Sequence, residues 1–227
     1  MKIRAIITGA TGMVGKGVLL ECLDDPRVES VLLVNRQLLE MTHPKLREVL
    51  VKDFFELSAI EADLTGYNAC YFCLGVSSAG MSEAAYSRTT HDLTLHFATT
   101  LLTHSPDLTF CYVSGAGTDS STQGSSMWAR VKGHTENRLL ALPFRAVYMF
   151  RPAFIQPQRG IRSKTRLYNL LYMVLAPLQP LISKYPRYYT TTSRMGQAMI
   201  NVALNGYSKK VLESEDINKT SGEVSNN

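Results

Sequence analysis

Along the chain, short apolar runs alternate with longer stretches of helical period, the arrangement expected when strands are buried on both faces and helices cover them. The first run, Ile3-Arg-Ala-Ile-Ile-Thr8, breaks into three glycines, Gly9, Gly12 and Gly15, and then passes into a helical pattern closed by Asp24-Asp25-Pro26. Further strands are predicted at Ser30–Val34, Glu48–Lys52, Asn68–Leu74, Leu108–Ser114 and Phe144–Pro152, and an edge strand at Lys210–Glu213. Residues 37–47, with His43-Pro44, read as a loop. A helix is expected near Phe55, and another from Ser82 to Thr103 with Leu93, Phe97 and Leu101 at core spacing. A last amphipathic helix follows Thr190-Thr-Thr-Ser193 through Met195, Met199, Val202 and Ala203; from Ser214 onward the chain is polar and acidic and is expected to end in disorder.

A buried strand that ends in glycines and feeds a helix aims backbone N–H groups and the positive end of a helix dipole at one point, which suits an anion. The first glycine permits the tight turn, the second lets the backbone approach a pyrophosphate, and the third lets helix and sheet pack closely. A triphosphate-binding loop is excluded, because Ala10 stands where its first glycine belongs and Gly17 where a magnesium-binding hydroxyl is needed. The pattern predicts a dinucleotide site. At the end of the second strand stand Asn35 and Arg36, with no acid to take ribose hydroxyls. A guanidinium there suits a 2′-phosphate, so NADP is expected over NAD.

The string Thr8-Gly-Ala-Thr-Gly-Met-Val-Gly15, followed in order by Cys73-Leu-Gly75, Tyr112-Val-Ser114, Val131-Lys-Gly133 and Phe150-Arg-Pro152, resembles the atypical and extended short-chain dehydrogenase/reductase superfamily. Within it the chain is similar to the "epimerase"-like branch that includes Tat-interacting-protein-like proteins. The resemblance implies an α/β Rossmann-type doubly wound parallel sheet. It implies a nucleotide-binding core over residues 1–152 and a small C-terminal substrate or cap lobe over 153–227, whose late elements complete the core. It implies cofactor contacts from Thr8, Gly9, Thr11, Gly12, Met13 and Val14, from Asn35 and Arg36, from Leu74 and Gly75, and from Arg151, Pro152 and Ala153 at the nicotinamide end. Asp53, with Phe54, stands where the family places an acid against the adenine; it equally suits a helix cap. Ser114 takes the place of the substrate-orienting serine.

One residue departs from the pattern. Family members carry Tyr-x-x-x-Lys, two side chains on one helical face, where the lysine lowers the phenol's pKa so that it exchanges a proton as hydride moves. Here the stretch is Trp128-Ala-Arg-Val-Lys132, and an indole N–H donates a hydrogen bond but no proton at usable pH. Three readings stay open: another group (Ser114, Ser125, Ser126 or Tyr86) supplies the proton, Lys132 or water does, or the chain binds NADP without turnover as a regulatory or interaction protein. The favoured function is an NADP(H)-dependent oxidoreductase acting on a small carbonyl or hydroxyl compound. A sugar epimerase or dehydratase is disfavoured by the missing tyrosine and the short substrate lobe.

Composition narrows this further. The 227 residues, 45% of them hydrophobic, suffice for one sizeable core. The net charge of +5 comes without a basic run interleaved with aromatics, so nucleic acid is not expected as a partner. The basic stretch Arg159–Arg166 and the apolar Leu167–Ile182 after it, broken by Pro177 and Pro180, form no bilayer span. They read as a cap over an apolar substrate, or as a dimer or membrane-surface face. A chain that enters a strand at once suggests the cytoplasm. Cys70 and Cys73 lie three apart on a strand, on opposite faces, and no metal site is expected. His91 and Asp92, adjacent on a helix, are expected to act separately.

Overall fold

The computed structural model describes residues 2–161 and 185–222. Its centre is a sheet of seven parallel strands in the order β3-β2-β1-β4-β5-β6-β9. These are β1 (Ile3–Thr8), β2 (Val28–Asn35), β3 (Leu46–Leu50), β4 (Ala69–Phe72), β5 (Thr109–Val113), β6 (Ala146–Arg151) and β9 (Val211–Glu213). Parallel neighbours need crossovers, and apart from the helix-free β2–β3 connection the helices lie in them: α1 (Met13–Asp24), α2 (Glu83–Ser87), α3 (Leu93–His104), α4 (Met127–Leu140) and α5 (Thr192–Asn205).

Side chains of each strand alternate between two cores. Ala5, Ile7, Leu33 and Tyr71 face α1 and α5. Ile6, Leu32, Cys70, Phe72 and Phe110 face α3 and α4, with Phe97 and Leu139. Each fully buried Ile, Leu or Phe contributes about 1.5–3 kcal/mol, which is why the strands read as near-continuous apolar runs. Cys70 and Cys73 lie against different cores, as strand geometry predicts, and all four cysteines are unpaired. Burial raises the Cys73 thiol to about 12. Helices α1 and α5 approach closely through two glycines: a Cβ on Gly17 would lie 2.6 Å from Cβ of Thr192, and one on Gly196 2.7 Å from Cγ of Glu21. This contact seats the helix that follows the glycine loop on the C-terminal part of the chain.

Several boundaries differ from expectation. The third strand begins at Leu46, two residues early, where Arg47 pairs with Asp63 and the predicted loop is already an edge strand. The helix expected near Phe55 is a short 3₁₀ turn at Ser58–Leu64. The long helix from Ser82 is interrupted by a π turn at Arg88–Asp92, which brings the adjacent His91 and Asp92 together at 2.8 Å.

The segment after Ser214 is also ordered up to Thr220, as α6 (Ser214–Thr220), whose Glu213 and Asp216 form a reciprocal capping box. This helix ties down a second, two-stranded sheet, β7 (Phe154–Gln156) with β8 (Tyr189–Thr191). Ser214 Oγ accepts from the Ala153 amide at 2.9 Å, and Asn218 Nδ2 donates to the carbonyls of Pro186 and Tyr189 at 3.0 and 2.7 Å. The apolar run Leu167–Ile182 and most of the basic stretch before it lie outside the described residues. Among the described residues no helix is long and apolar enough to cross a membrane.

Candidate functional site

The strand order reverses between β1 and β4, and in sheets of this kind ligands sit in the crevice at that switch, beyond the strands' C-terminal ends. The glycine loop lies there. Gly9 has φ +72°, and a Cβ on it would stand 2.6 Å from the Cys73 carbonyl oxygen. A Cβ on Gly15 would overlap the Gly9 carbonyl, so loop and helix touch backbone to backbone. Gly12 caps α1 without a side-chain hydrogen bond, and no acid occupies the first turn. Met13 and Val14 open the helix. Its first amides therefore have neither a side-chain cap nor a nearby negative charge, the condition an incoming phosphate requires. Thr8 Oγ1, buried at the end of β1, has no hydrogen-bond partner.

A cavity of about 330 Å³ runs from Gly9 and Thr11 past Val34, Arg36 and Phe54 to Leu74. Asn35, 2% exposed, lines it but is already occupied, donating to Glu48 Oε1 at 2.8 Å. Arg36 is exposed and has no ion pair among the described residues. Phe54 is a core residue, packed on Phe97 with ring centroids 5.9 Å apart, and also lines the cavity. Asp53 is exposed; its Oδ1 accepts from the Phe55 amide at 3.0 Å. Nothing stands within 4 Å of a Cβ built on Gly75.

At the other end of the crevice, Trp128 and Lys132 share a face of α4. The indole is half-buried over the β5–α4 loop, 3.5 Å from a Cβ built on Gly117. Lys132 donates from Nζ to the carbonyl of Ser114. Burial lowers its pKa to about 8, with the Glu136 carboxylate acting in the opposite sense. Around pH 8, then, ammonium and free amine are both populated.

Ser114 is 3% exposed and its hydroxyl turns inward, donating to Glu136 Oε1 at 2.5 Å. Glu136 is wholly buried. Arg151 donates from Nε to the same oxygen at 3.0 Å, pairs with the other, and reaches Ser120 Oγ at 2.5 Å. Ser114 and Arg151 thus meet at Glu136, with Lys132 on the Ser114 carbonyl, around an acid that motif reading passed over. Its signal was its spacing, four residues after Lys132 on one helical face. The Arg151 guanidinium is held inside by that acid. The Pro152 carbonyl accepts from the Ala116 amide at 2.9 Å. Of the alternative proton donors, Tyr86 is 2% exposed with its phenol pushed up by burial, while Ser125 and Ser126 lie exposed at the start of α4.

A parallel seven-stranded sheet with a glycine loop at its switch point is a Rossmann-type α/β architecture, and its α4 carries Lys132 four residues after Trp128. In sequence the chain is similar to FMP52-1 of Scheffersomyces stipitis, 26% identical over 207 residues covering 90% of each protein. It is also similar to HTATIP2 of Rattus norvegicus, 28% identical over 151 residues that span 66% of this chain and 61% of that one. No family model matches the chain. Among solved structures, WbmF of Bordetella bronchiseptica in complex with NAD+ superimposes with a TM-score of 0.67 at 14% identity, covering 98% of this chain and 78% of WbmF. The carbonyl reductase Sniffer of D. melanogaster does so with a TM-score of 0.65 at 13% identity, covering 95% and 98%. The FMP52 relatives are named as mitochondrial proteins, which overturns the expectation of a cytoplasmic chain. That expectation rested on the absence of a signal-peptide pattern, which carries no information about other compartments.

Proposed function

We propose that the chain binds NADP(H) across the C-terminal ends of β1, β2 and β4 and acts as an oxidoreductase on a small, apolar carbonyl or hydroxyl compound. One observation carries the cofactor preference: β2 is followed at once by Arg36, exposed and without an ion pair among the described residues, beside the cavity, where an NAD site would present an acid to the ribose. The cradle fits a diphosphate, since Gly9 and Gly15 let the loop and α1 close backbone to backbone and the first amides of α1 carry no side-chain cap and no first-turn acid. When bound, such a nucleotide supplies or accepts hydride. The α1 amides would hold the diphosphate, Arg36 the 2′-phosphate and Lys132 the ribose hydroxyls, while Trp128 walls the substrate side. The NAD+ bound to WbmF and the identity of Sniffer as a carbonyl reductase support this reading.

Trp128 favours a second reading, a nucleotide-responsive binding protein without turnover, because no phenol stands at its position. The two separate in one assay. NADPH oxidation over a panel of small aldehydes and ketones is expected in the wild type and is lost in Lys132→Ala. Arg36→Ala is expected to erase a preference for NADPH over NADH of about tenfold, or about 1.4 kcal/mol. A wild type that binds NADPH but reduces nothing, with activity appearing in Trp128→Tyr, establishes the second reading instead.

A further inference from the structure

Among the described residues, Arg36 is not the only cation without an ion pair at this end of the crevice. Where ion pairs form among the described arginines, as at Arg27, Arg47, Arg130, Arg151 and Arg159, an acid stands within reach. Lys52 has no hydrogen bond or ion pair to any described residue, and it lines, together with Arg36, Asp53, Thr89 and Leu93, a second cavity of about 100 Å³. The backbone explains why the two cations meet. Asn35 and Leu50 are register partners on β2 and β3, and the Val51 amide donates to the Asn35 carbonyl at 2.9 Å. Arg36 follows the end of β2 and Lys52 the end of the neighbouring β3, and both line this cavity.

Two cations with no ion pair among the described residues share this opening with one carboxylate, Asp53, which leaves a net positive charge that a dianion would balance. The acid beside them is Asp53, whose Oδ1 is engaged by the Phe55 amide. Arg88, on the same side, is stacked over the Phe55 ring at 4.9 Å and so has its own contact.

We propose that Lys52 is a second specificity-determining residue, clamping the 2′-phosphate of an adenine nucleotide from the side opposite Arg36. This rests on the nucleotide reading above. The two cations divide the work by their chemistry: the guanidinium offers a planar fork to two phosphate oxygens, and the ammonium acts as a compact point charge on the third.

The test uses the full chain and two probes, adenosine 2′,5′-bisphosphate and 5′-AMP, titrated by calorimetry. Lys52→Met is expected to weaken the bisphosphate about tenfold while leaving 5′-AMP within about twofold, and Lys52→Arg is expected to restore binding. Because Lys52 is exposed, both variants are expected to melt with the wild type. The dependence of bisphosphate affinity on salt should also become shallower in Lys52→Met. An unchanged bisphosphate affinity overturns the proposal while leaving the nucleotide site intact. Equal weakening of both probes overturns it too, since Lys52 would then serve the adenosine as a whole. A wild type that takes up neither probe removes the nucleotide reading, and this inference with it.

Discussion

Glu136→Ala is expected to lose about 3–5 kcal/mol of stability, the usual consequence of removing one partner of a buried ion pair. The carboxylate is wholly buried and serves three elements at once: it accepts from Ser114 beyond β5, neutralises Arg151 at the end of β6, and sits on α4 one turn beyond Lys132. Without it, Arg151 keeps Ser120 Oγ and, as its one acid among the described residues, Glu213 at 3.6 Å, and the Ser114 hydroxyl keeps the Phe150 carbonyl at 3.2 Å. Lys132 loses the neighbour that holds its pKa up, so its value is expected to fall below about 8. Urea denaturation measures the loss, which is a large share of the roughly 5–15 kcal/mol that stabilises a typical domain. The double variant Glu136→Leu with Arg151→Met is expected to recover most of it, because no uncompensated charge then remains inside. A single variant that unfolds with the wild type would show that the network is solvated rather than buried.

The glycine loop is expected to respond in two different ways. Gly9→Ala combines a left-handed backbone, φ +72°, with a Cβ placed 2.6 Å from the Cys73 carbonyl. The first costs a side chain about 1–2 kcal/mol and the second about 1–3 kcal/mol, and neither neighbour is a flexible side chain that can move aside. Gly12→Ala meets only the Gly9 carbonyl at 3.3 Å, with ordinary extended φ and ψ of −91° and 167°. It is expected to fold within about 1 kcal/mol of the wild type yet to bind nucleotide at least about tenfold more weakly, because the new methyl sits where the diphosphate needs bare backbone. Thermal melting and a nucleotide titration of both chains separate the two effects. A Gly12→Ala chain with unchanged affinity would place the diphosphate elsewhere.

What could be read from sequence, and what could not, divides along physical lines. The central strands and the glycine loop were legible because a parallel strand buried on both faces shows itself in every residue, and a backbone that must touch backbone shows itself as glycine. The start of β3 was not, since an edge strand mixing Leu46, Arg47 and Glu48 has no clear period. Helix α6 was missed because Ile217 is its one buried apolar residue. Its order comes from the capping box and from Asn218 reaching back to Pro186 and Tyr189, partners about thirty residues away. Glu136 is the same case at the candidate site: its meaning depends on Arg151, on a different element, which motif reading assigned to the cofactor.

All of this turns on one claim, that a nicotinamide nucleotide lies across the first strand–helix turn. Calorimetric titration of the full chain with NADPH and with NADH, each carried to millimolar concentration, tests it most directly. Saturable binding of one NADPH per chain, about tenfold or more tighter than NADH, is the predicted result; no uptake of either nucleotide would contradict the account.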